Sequence, residues 1–325
     1  GSEMCIRDSN KGKMHMEKNF YTQLEEKVQQ NLKKIKQTDP FLYKEMRIIY
    51  EMLKDAEYPT SKGLVQGPLA RVTEEQAIAL VAEFLEKCNP RYKDNLLKDY
   101  SNGKIIFNPE EKSIMKWDVK SLEYDINIEK TDTITMAYDL VHEYFHTLNL
   151  NIYVVRAALT ETVSIIAELM FLEFLKTKGY SDYDLNIVNQ KRRSYYNNNL
   201  HLLKLVLPLY LDKKEKNTVA EETYRNLPEL VGVSQQNINL NLEHILNSKE
   251  LALDAYKYVI GYLQARMVLY KGLDCHGLEA LNENLKNANF KEFEERLIGD
   301  DLVETIHTYA KKDDFSYQPI QLVKK

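Results

Sequence analysis

Two histidines and the glutamate between them, His142, Glu143 and His146, have the types and the spacing that can bind and use a metal ion. Side chains four positions apart on a helix project from the same face, so both imidazoles can bind one Zn²⁺. Glu143 would then lie beside the open coordination position, where a carboxylate can take a proton from an activated water molecule. This His-Glu-x-x-His pattern is typical of zinc-dependent peptidases, and it predicts one Zn²⁺ per chain.

A catalytic zinc needs a third protein ligand and one open position. No third histidine follows His146 at short range, which disfavours the peptidases with three histidine ligands. Glu161 and Glu168 lie on the next predicted helix, and either can reach back to the metal if the two helices pack antiparallel. Asp139, one turn before His142, is a candidate for orienting a ligand imidazole, although we favour its interpretation as a helix-surface charge.

The elements that must position these residues are predicted from local patterns. Thr131-Asp132-Thr133 supplies candidate caps for the helix that carries His142. A second helix is predicted over 157–178, with Gly179 as its stop. Ser121 to Ile128 alternates apolar and polar side chains, which indicates a half-buried strand. We expect it to be the edge strand of a small sheet beside the active-site cleft, with a second short strand over 104–107.

Helical patterning dominates the rest of the chain, so the predicted fold is mainly α. A capping box at Thr73 to Gln76 starts a helix that runs to about Cys88. Residues 1–12 are interpreted as a tag or a disordered segment, 13–101 as an N-terminal helical region, and 102–325 as the catalytic region, one compact unit of two lobes. The other predicted helices cover 19–37, 41–56, 182–211, 220–230, 249–271, 277–286 and 290–311.

Composition and charge argue against several classes of protein. The chain carries 44 basic and 49 acidic side chains, a net charge of −5, and no basic stripe that would bind nucleic acid. Its longest basic cluster, 191–193, is interpreted as a solvated helix face. No apolar run approaches the roughly 18 residues of a membrane span, and no signal peptide is recognised. Three widely spaced cysteines predict neither disulfides nor a thiolate metal site, so we expect a cytoplasmic protein.

Several segments together resemble the thimet oligopeptidase and oligoendopeptidase F family of zinc peptidases. Glu161, Ser164 and Glu168 match the spacing of that family's second metal helix, in which the first glutamate binds zinc. The strand and turn over 125–133 are similar to those that lead into the family's first metal helix. The segment 256–262, Tyr-Lys-Tyr-Val-Ile-Gly-Tyr, is similar to the family's tyrosine-rich segment. The similarity covers about 121–271, in the family's order.

The resemblance implies a helical zincin-type fold and a function. It makes Glu161 the third zinc ligand and Glu168 a residue that orients a ligand imidazole. It also makes Tyr258 or Tyr262, with Tyr256 beside them, a donor to the oxyanion of the tetrahedral intermediate. The expected activity is hydrolysis of short oligopeptides, with Glu143 as the general base.

The chain also departs from the family pattern. Phe145 stands where the family usually has glycine, the link from His146 to Glu161 is shorter, and the chain is little more than half the usual length. No histidine of this chain aligns with the family's histidine upstream of the tyrosines; His244 lies nearby but out of register. The alternative is therefore a catalytically inactive relative that binds peptides or a partner protein, and the oligomeric state is not predicted.

Overall fold

The computed structural model describes residues 68–118, 121, 123–150, 157–189, 199, 251–270 and 273–287. Almost all of them belong to one compact unit, formed by Gly63–Tyr196 and Lys257–Lys325; the other unit consists of Gly1–Lys62 and Asn197–Tyr256. Within these residues the protein is mainly helical with one small sheet, which confirms the predicted class at that level. No helix in the described part combines the length and apolar character that crossing a membrane requires.

Two consecutive helices precede the sheet. Helix α1 (Glu74–Cys88) begins at the predicted capping box, in which the Thr73 hydroxyl accepts from the Gln76 N–H and the Gln76 side chain accepts from the Thr73 N–H. Helix α2 (Pro90–Ser101) lies within the region predicted to be helical over 13–101 but was not predicted as a separate helix. Asn89 caps it and proline occupies its first turn, both ordinary start signals. Both helices belong to the compact unit that contains the sheet.

The sheet has three short strands, β1 (Ile105–Asn108), β2 (Ile114–Trp117) and β3 (Tyr124–Glu129), in the order β1-β3-β2. β1 runs parallel to β3, and β2 runs antiparallel to it. The prediction that the strand within 121–128 lies at the edge is therefore wrong, because β3 is the central strand. An alternating pattern reports which face of a strand is buried and contains no information about its neighbours. β1 and β2 are the two edge strands among the described strands, and β2 was not predicted.

The helix that carries His142 and His146, α3, spans Thr135–Leu148. The predicted caps are wrong: Ile134 occupies the N-cap position, and no side chain caps the helix. The hydroxyls of Thr131, Thr133 and Thr135 instead hydrogen-bond one another at 2.7–2.9 Å. These bonds use the hydroxyl groups that capping would have required.

Three further helices agree with the predictions. Helix α4 spans Ala157–Thr177 and is followed by Gly179, whose φ of +86° is the left-handed conformation expected of a helix stop. Helices α5 (Leu251–Tyr270) and α6 (Cys275–Asn287) lie close to their predicted limits. Residues 182–189 are also helical. The remaining predicted helices and the basic cluster at 191–193 lie outside the described residues, as does the rest of the segment predicted to be helical over 182–211.

Candidate metal centre

Helices α3 and α4 pack side by side and run in opposite directions. Tyr138 and His142 contact Glu168, whereas His146, later on α3, contacts Ser164, earlier on α4. Because sequence position rises along one helix as it falls along the other, the two helices are antiparallel. This arrangement brings Glu161, near the start of α4, to the two histidines of α3.

Three side-chain atoms converge at this contact. Nε2 of His142 and Nε2 of His146 lie 3.0 Å apart, and Oε2 of Glu161 lies 3.4 Å from the first and 3.8 Å from the second. All three residues are buried, with 1–5% of their surface exposed. They form a group of side chains that can hold a metal ion within the described residues.

The donor set fits a zinc ion on two observations. Atoms separated by 3.0, 3.4 and 3.8 Å can all lie about 2 Å from one common point, which matches zinc–nitrogen and zinc–oxygen bonds of about 2.0–2.2 Å. Oε2 of Glu161 is buried and accepts no hydrogen bond from the described residues. Burial alone would raise the pKa of Glu161, but His146, His142 and Lys257 outweigh it and hold this pKa at about 2.

Helix α4 also contacts the far side of both imidazoles. Oε1 of Glu168 lies 2.8 Å from Nδ1 of His142, and its other oxygen accepts a hydrogen bond from the Tyr138 hydroxyl at 2.9 Å. The Ser164 hydroxyl lies 3.2 Å from Nδ1 of His146. Partners on Nδ1 fix the ring orientation and leave Nε2 of each histidine facing Glu161. Glu161, Ser164 and Glu168 thus lie on one face of α4 and contact the two histidines, at the spacing noted in the sequence.

Glu143 differs from its neighbours because it is only half-buried. Its Oε2 accepts a hydrogen bond of 2.8 Å from the backbone N–H of Met115 on β2. Burial is the main cause that raises the pKa of Glu143; Glu161 and Asp139 raise it further, while His142 and the Met115 N–H oppose the shift. Glu143 therefore lies between α3 and β2, and part of its surface reaches solvent.

Asp139 is not the exposed helix-surface charge that we favoured from the sequence. Only 8% of its surface is exposed, and its Oδ2 accepts a hydrogen bond from the Ser113 hydroxyl at 3.0 Å. Ser113 also accepts from the N–H of Glu129 at the end of β3, again at 3.0 Å. Asp139 is therefore part of the contact between α3 and the sheet, which covers the helix face that would otherwise meet solvent.

Helix α5 packs against α4 at Glu161. A Cβ atom added to Gly261 would lie 2.8 Å from Cβ of Glu161 and 3.1 Å from the backbone nitrogen of Thr162, so only glycine allows this approach. One turn earlier, Nζ of Lys257 lies 3.4 Å from Oε1 of Glu161. Lys257 was not identified from the sequence, although its position four residues before Gly261 puts both on one helix face.

The predicted tyrosines differ from one another in how far they are buried. Tyr258 is half-buried, and its ring lies 4.7 Å from Nζ of Lys257. Tyr262 is 1% exposed. Of these two, Tyr258 is therefore the more accessible to a substrate. Tyr256 lies on the described backbone of α5, but its side chain is outside the described residues.

Phe145, the departure within the histidine pattern, is a core residue. It is fully buried, and its ring meets that of Tyr92 edge-on, with centroids 6.4 Å apart. Tyr92 belongs to α2, which was not predicted as a separate helix. The bulky side chain therefore packs α3 against the preceding helices.

A separate polar cavity of about 470 Å³ lies at the C-terminal end of α3. Its lining includes Asp99, Tyr124, Tyr144 and Thr147, and the Tyr124 hydroxyl donates to Asp99 at 2.5 Å. Burial and the Asp99 carboxylate raise the pKa of Tyr124. His142, His146 and Glu161 do not line this cavity, so the cavity and the candidate metal site are distinct.

Comparisons of the chain with protein-family models, with curated proteins and with solved structures found no match.

Proposed function

We propose that this protein is a zinc-dependent peptidase that hydrolyses short oligopeptides, with a helical zincin-type fold. The observation that carries the proposal is the convergence of two imidazole nitrogens and one carboxylate oxygen on a common point. Glu143 follows His142 directly and interacts electrostatically with His142 and Glu161. Two histidines and one carboxylate are the ligand set of a well-known group of catalytic zinc sites, which keep a further position open.

In this proposal each residue has a separate role. His142, His146 and Glu161 would hold the ion, which when bound supplies a Lewis acid that activates water and polarises the scissile carbonyl. Glu143 takes a proton from the attacking water and later delivers it to the leaving amine. Glu168 and Ser164 keep the imidazoles in place, and Tyr258 donates a hydrogen bond to the developing oxyanion, with Tyr262 as the other candidate donor.

The edge of the sheet supports a binding mode for an extended peptide. The Met115 N–H points away from β3 and toward Glu143, so the outer edge of β2 runs beside the proposed base. A peptide that pairs with this edge as an additional strand would bring its backbone near Glu143, and its alternate side chains would set sequence preference. The strand at 121–128, which the sequence predicted to lie at the edge beside the cleft, is central and has no free edge for a peptide.

A comparison of two variants tests the proposal. Glu143→Gln should bind one zinc per chain, measured by elemental analysis after dialysis, but should not cleave a peptide library followed by mass spectrometry. His142→Ala should lose both zinc and cleavage. Glu123→Gln is the matched control, because Glu123 is an exposed glutamate paired with Lys104 and should leave both properties unchanged.

The result also separates the two functions considered from the sequence. Cleavage by the unmodified protein that disappears in Glu143→Gln supports the peptidase. If the unmodified protein binds zinc but cleaves no member of the library, the catalytic proposal is overturned, and retention of library peptides on the immobilised protein would then support a peptide-binding relative. If it binds no divalent metal at all, the metal centre itself is refuted.

A further inference from the structure

We propose that Lys257 is a positioning residue that restricts Glu161 to binding the metal through a single oxygen, Oε2. The inference rests on the metal binding proposed above and assigns a role that the sequence patterns did not suggest. It is carried by the different surroundings of the two carboxylate oxygens of Glu161.

The two oxygens of Glu161 face different partners. Oε2 lies 3.4 Å from Nε2 of His142 and 3.8 Å from Nε2 of His146, which is the side on which the ligand atoms converge. Oε1 lies 3.4 Å from Nζ of Lys257. The side chain of Lys257 is only 14% exposed, and that of Glu161 is 1% exposed. Limited access to water strengthens an ion pair of this kind relative to one on the surface.

The backbone fixes the position of this lysine. Gly261 allows α5 to approach α4 until a Cβ would overlap Glu161, and Lys257 lies one helical turn before that contact. The Tyr258 ring lies 4.7 Å from the ammonium group, within the range in which a cation is attracted to an aromatic face. The ring contact limits the freedom of a side chain that would otherwise have many rotamers.

The restriction has a chemical consequence. A carboxylate can bind a metal through one oxygen or through two, and the second oxygen would occupy the position that a catalytic zinc site keeps open for water and substrate. Lys257 holds Oε1 by charge and thereby opposes that second bond. An uncharged side chain at 257 would leave Oε1 free to turn toward the metal.

Cobalt substitution tests this role without relying on activity. Co²⁺ takes the place of zinc in such sites, and its visible absorption loses intensity and shifts as the coordination number rises. We expect the Co²⁺ form of Lys257→Met to absorb more weakly and at a shifted wavelength relative to the unmodified protein. Lys257→Arg, which keeps the cation, should retain the original spectrum.

Lys104→Met is a closely matched control. Nζ of Lys104 also pairs with a glutamate, Glu123, at 2.7 Å and also lies over a tyrosine ring, that of Tyr124, at 4.9 Å. This variant should leave the Co²⁺ spectrum unchanged. Circular dichroism establishes that each variant is folded, and Lys257→Gln replaces Lys257→Met in the comparison if the latter does not fold.

The outcomes distinguish this inference from the proposed function. If the unmodified protein binds no Co²⁺ or Zn²⁺, the proposed function fails. If it binds one ion and the spectrum of folded Lys257→Met or Lys257→Gln matches that of the unmodified protein, the role of Lys257 is overturned while the metal site stands. A spectral change in Lys257→Met that Lys257→Arg does not share supports the assigned role.

Discussion

Glu168 contacts His142 on the ring nitrogen that faces away from Glu161, with 2.8 Å between Oε1 and Nδ1. The Tyr138 hydroxyl in turn donates to Oε2 of Glu168. This chain of contacts fixes the ring of His142 from behind, with Nε2 directed at the other proposed ligands.

Glu168→Ala should therefore weaken zinc binding by about 10–100-fold, the usual effect of removing a partner from a ligand histidine. Tyr138→Phe removes only the outer hydrogen bond and should have a smaller effect in the same direction. Competition with a chromophoric chelator measures both affinities. Unchanged affinity in a folded Glu168→Ala protein would show that the contact does not orient the ligand.

Gly261→Ala should destabilise the protein by about 1–3 kcal/mol, the usual range for overpacking a tight contact. Its new methyl group would meet Cβ of Glu161 and the backbone of Thr162, neither of which can move without displacing α4. Zinc affinity should fall as well, because the displaced residue is a proposed ligand. Denaturant unfolding and chelator competition measure the two effects.

Gly277→Ala is the internal comparison for that substitution. The added methyl group would lie 2.7 Å from Cδ1 of Leu273, the end of a flexible and half-buried side chain that can move aside. Alanine also gains about 1 kcal/mol over glycine inside a helix. The two effects oppose each other, so we expect a net change within about 1 kcal/mol. An equal loss of stability in both variants would show that the close approach of Gly261 to Glu161 adds no cost of its own.

Zinc should raise the unfolding temperature of the unmodified protein. A ligand that binds only the folded state at about 100 times its Kd adds about 2.7 kcal/mol, which corresponds to a shift of several degrees. A chelator should reverse the shift. A thermal melt of a His142→Ala/His146→Ala double variant serves as the reference, and the same rise in that variant would place the stabilising ion elsewhere.

Ser113→Ala should lower the free energy of unfolding by about 1–3 kcal/mol, because it removes a hydrogen-bond donor to buried Asp139 and the hydroxyl that accepts from the Glu129 N–H. Ser121→Ala is the control. Ser121 is exposed and bonds to Asp118, and its loss should cost less than about 0.5 kcal/mol. Urea titration measures the free energy of unfolding of both variants. An equal loss in the two would show that Ser113 does not stabilise the contact between the sheet and α3.

The sequence predicts best the features that depend on near neighbours. The capping box at Thr73, the helix stop at Gly179 and the shared face of His142 and His146 each follow from spacings of a few residues. Glu161 and Glu168 could be proposed as partners of that face, but from the residues alone either could have been the ligand. In the structure, Glu161 lies within 3.8 Å of both Nε2 atoms, whereas Glu168 contacts Nδ1 of His142.

Features that depend on distant packing could not be predicted in this way. The central position of β3 requires β2, a strand of four residues with a weak local pattern. The burial of Asp139 depends on Ser113, and the contact of Lys257 with Glu161 depends on how closely two helices approach at Gly261. None of these distances is encoded in a local spacing.

The contact at Gly261 also bears on the order in which the protein matures during synthesis. A chain that has emerged from the ribosome only through α4 already contains both histidines and Glu161, but not the helix that covers the glutamate. Its carboxylate then lacks the ammonium group that lies beside Oε1 once α5 is in place. A chain released before α5 is made would therefore contain every proposed ligand but lack the helix that packs against Glu161.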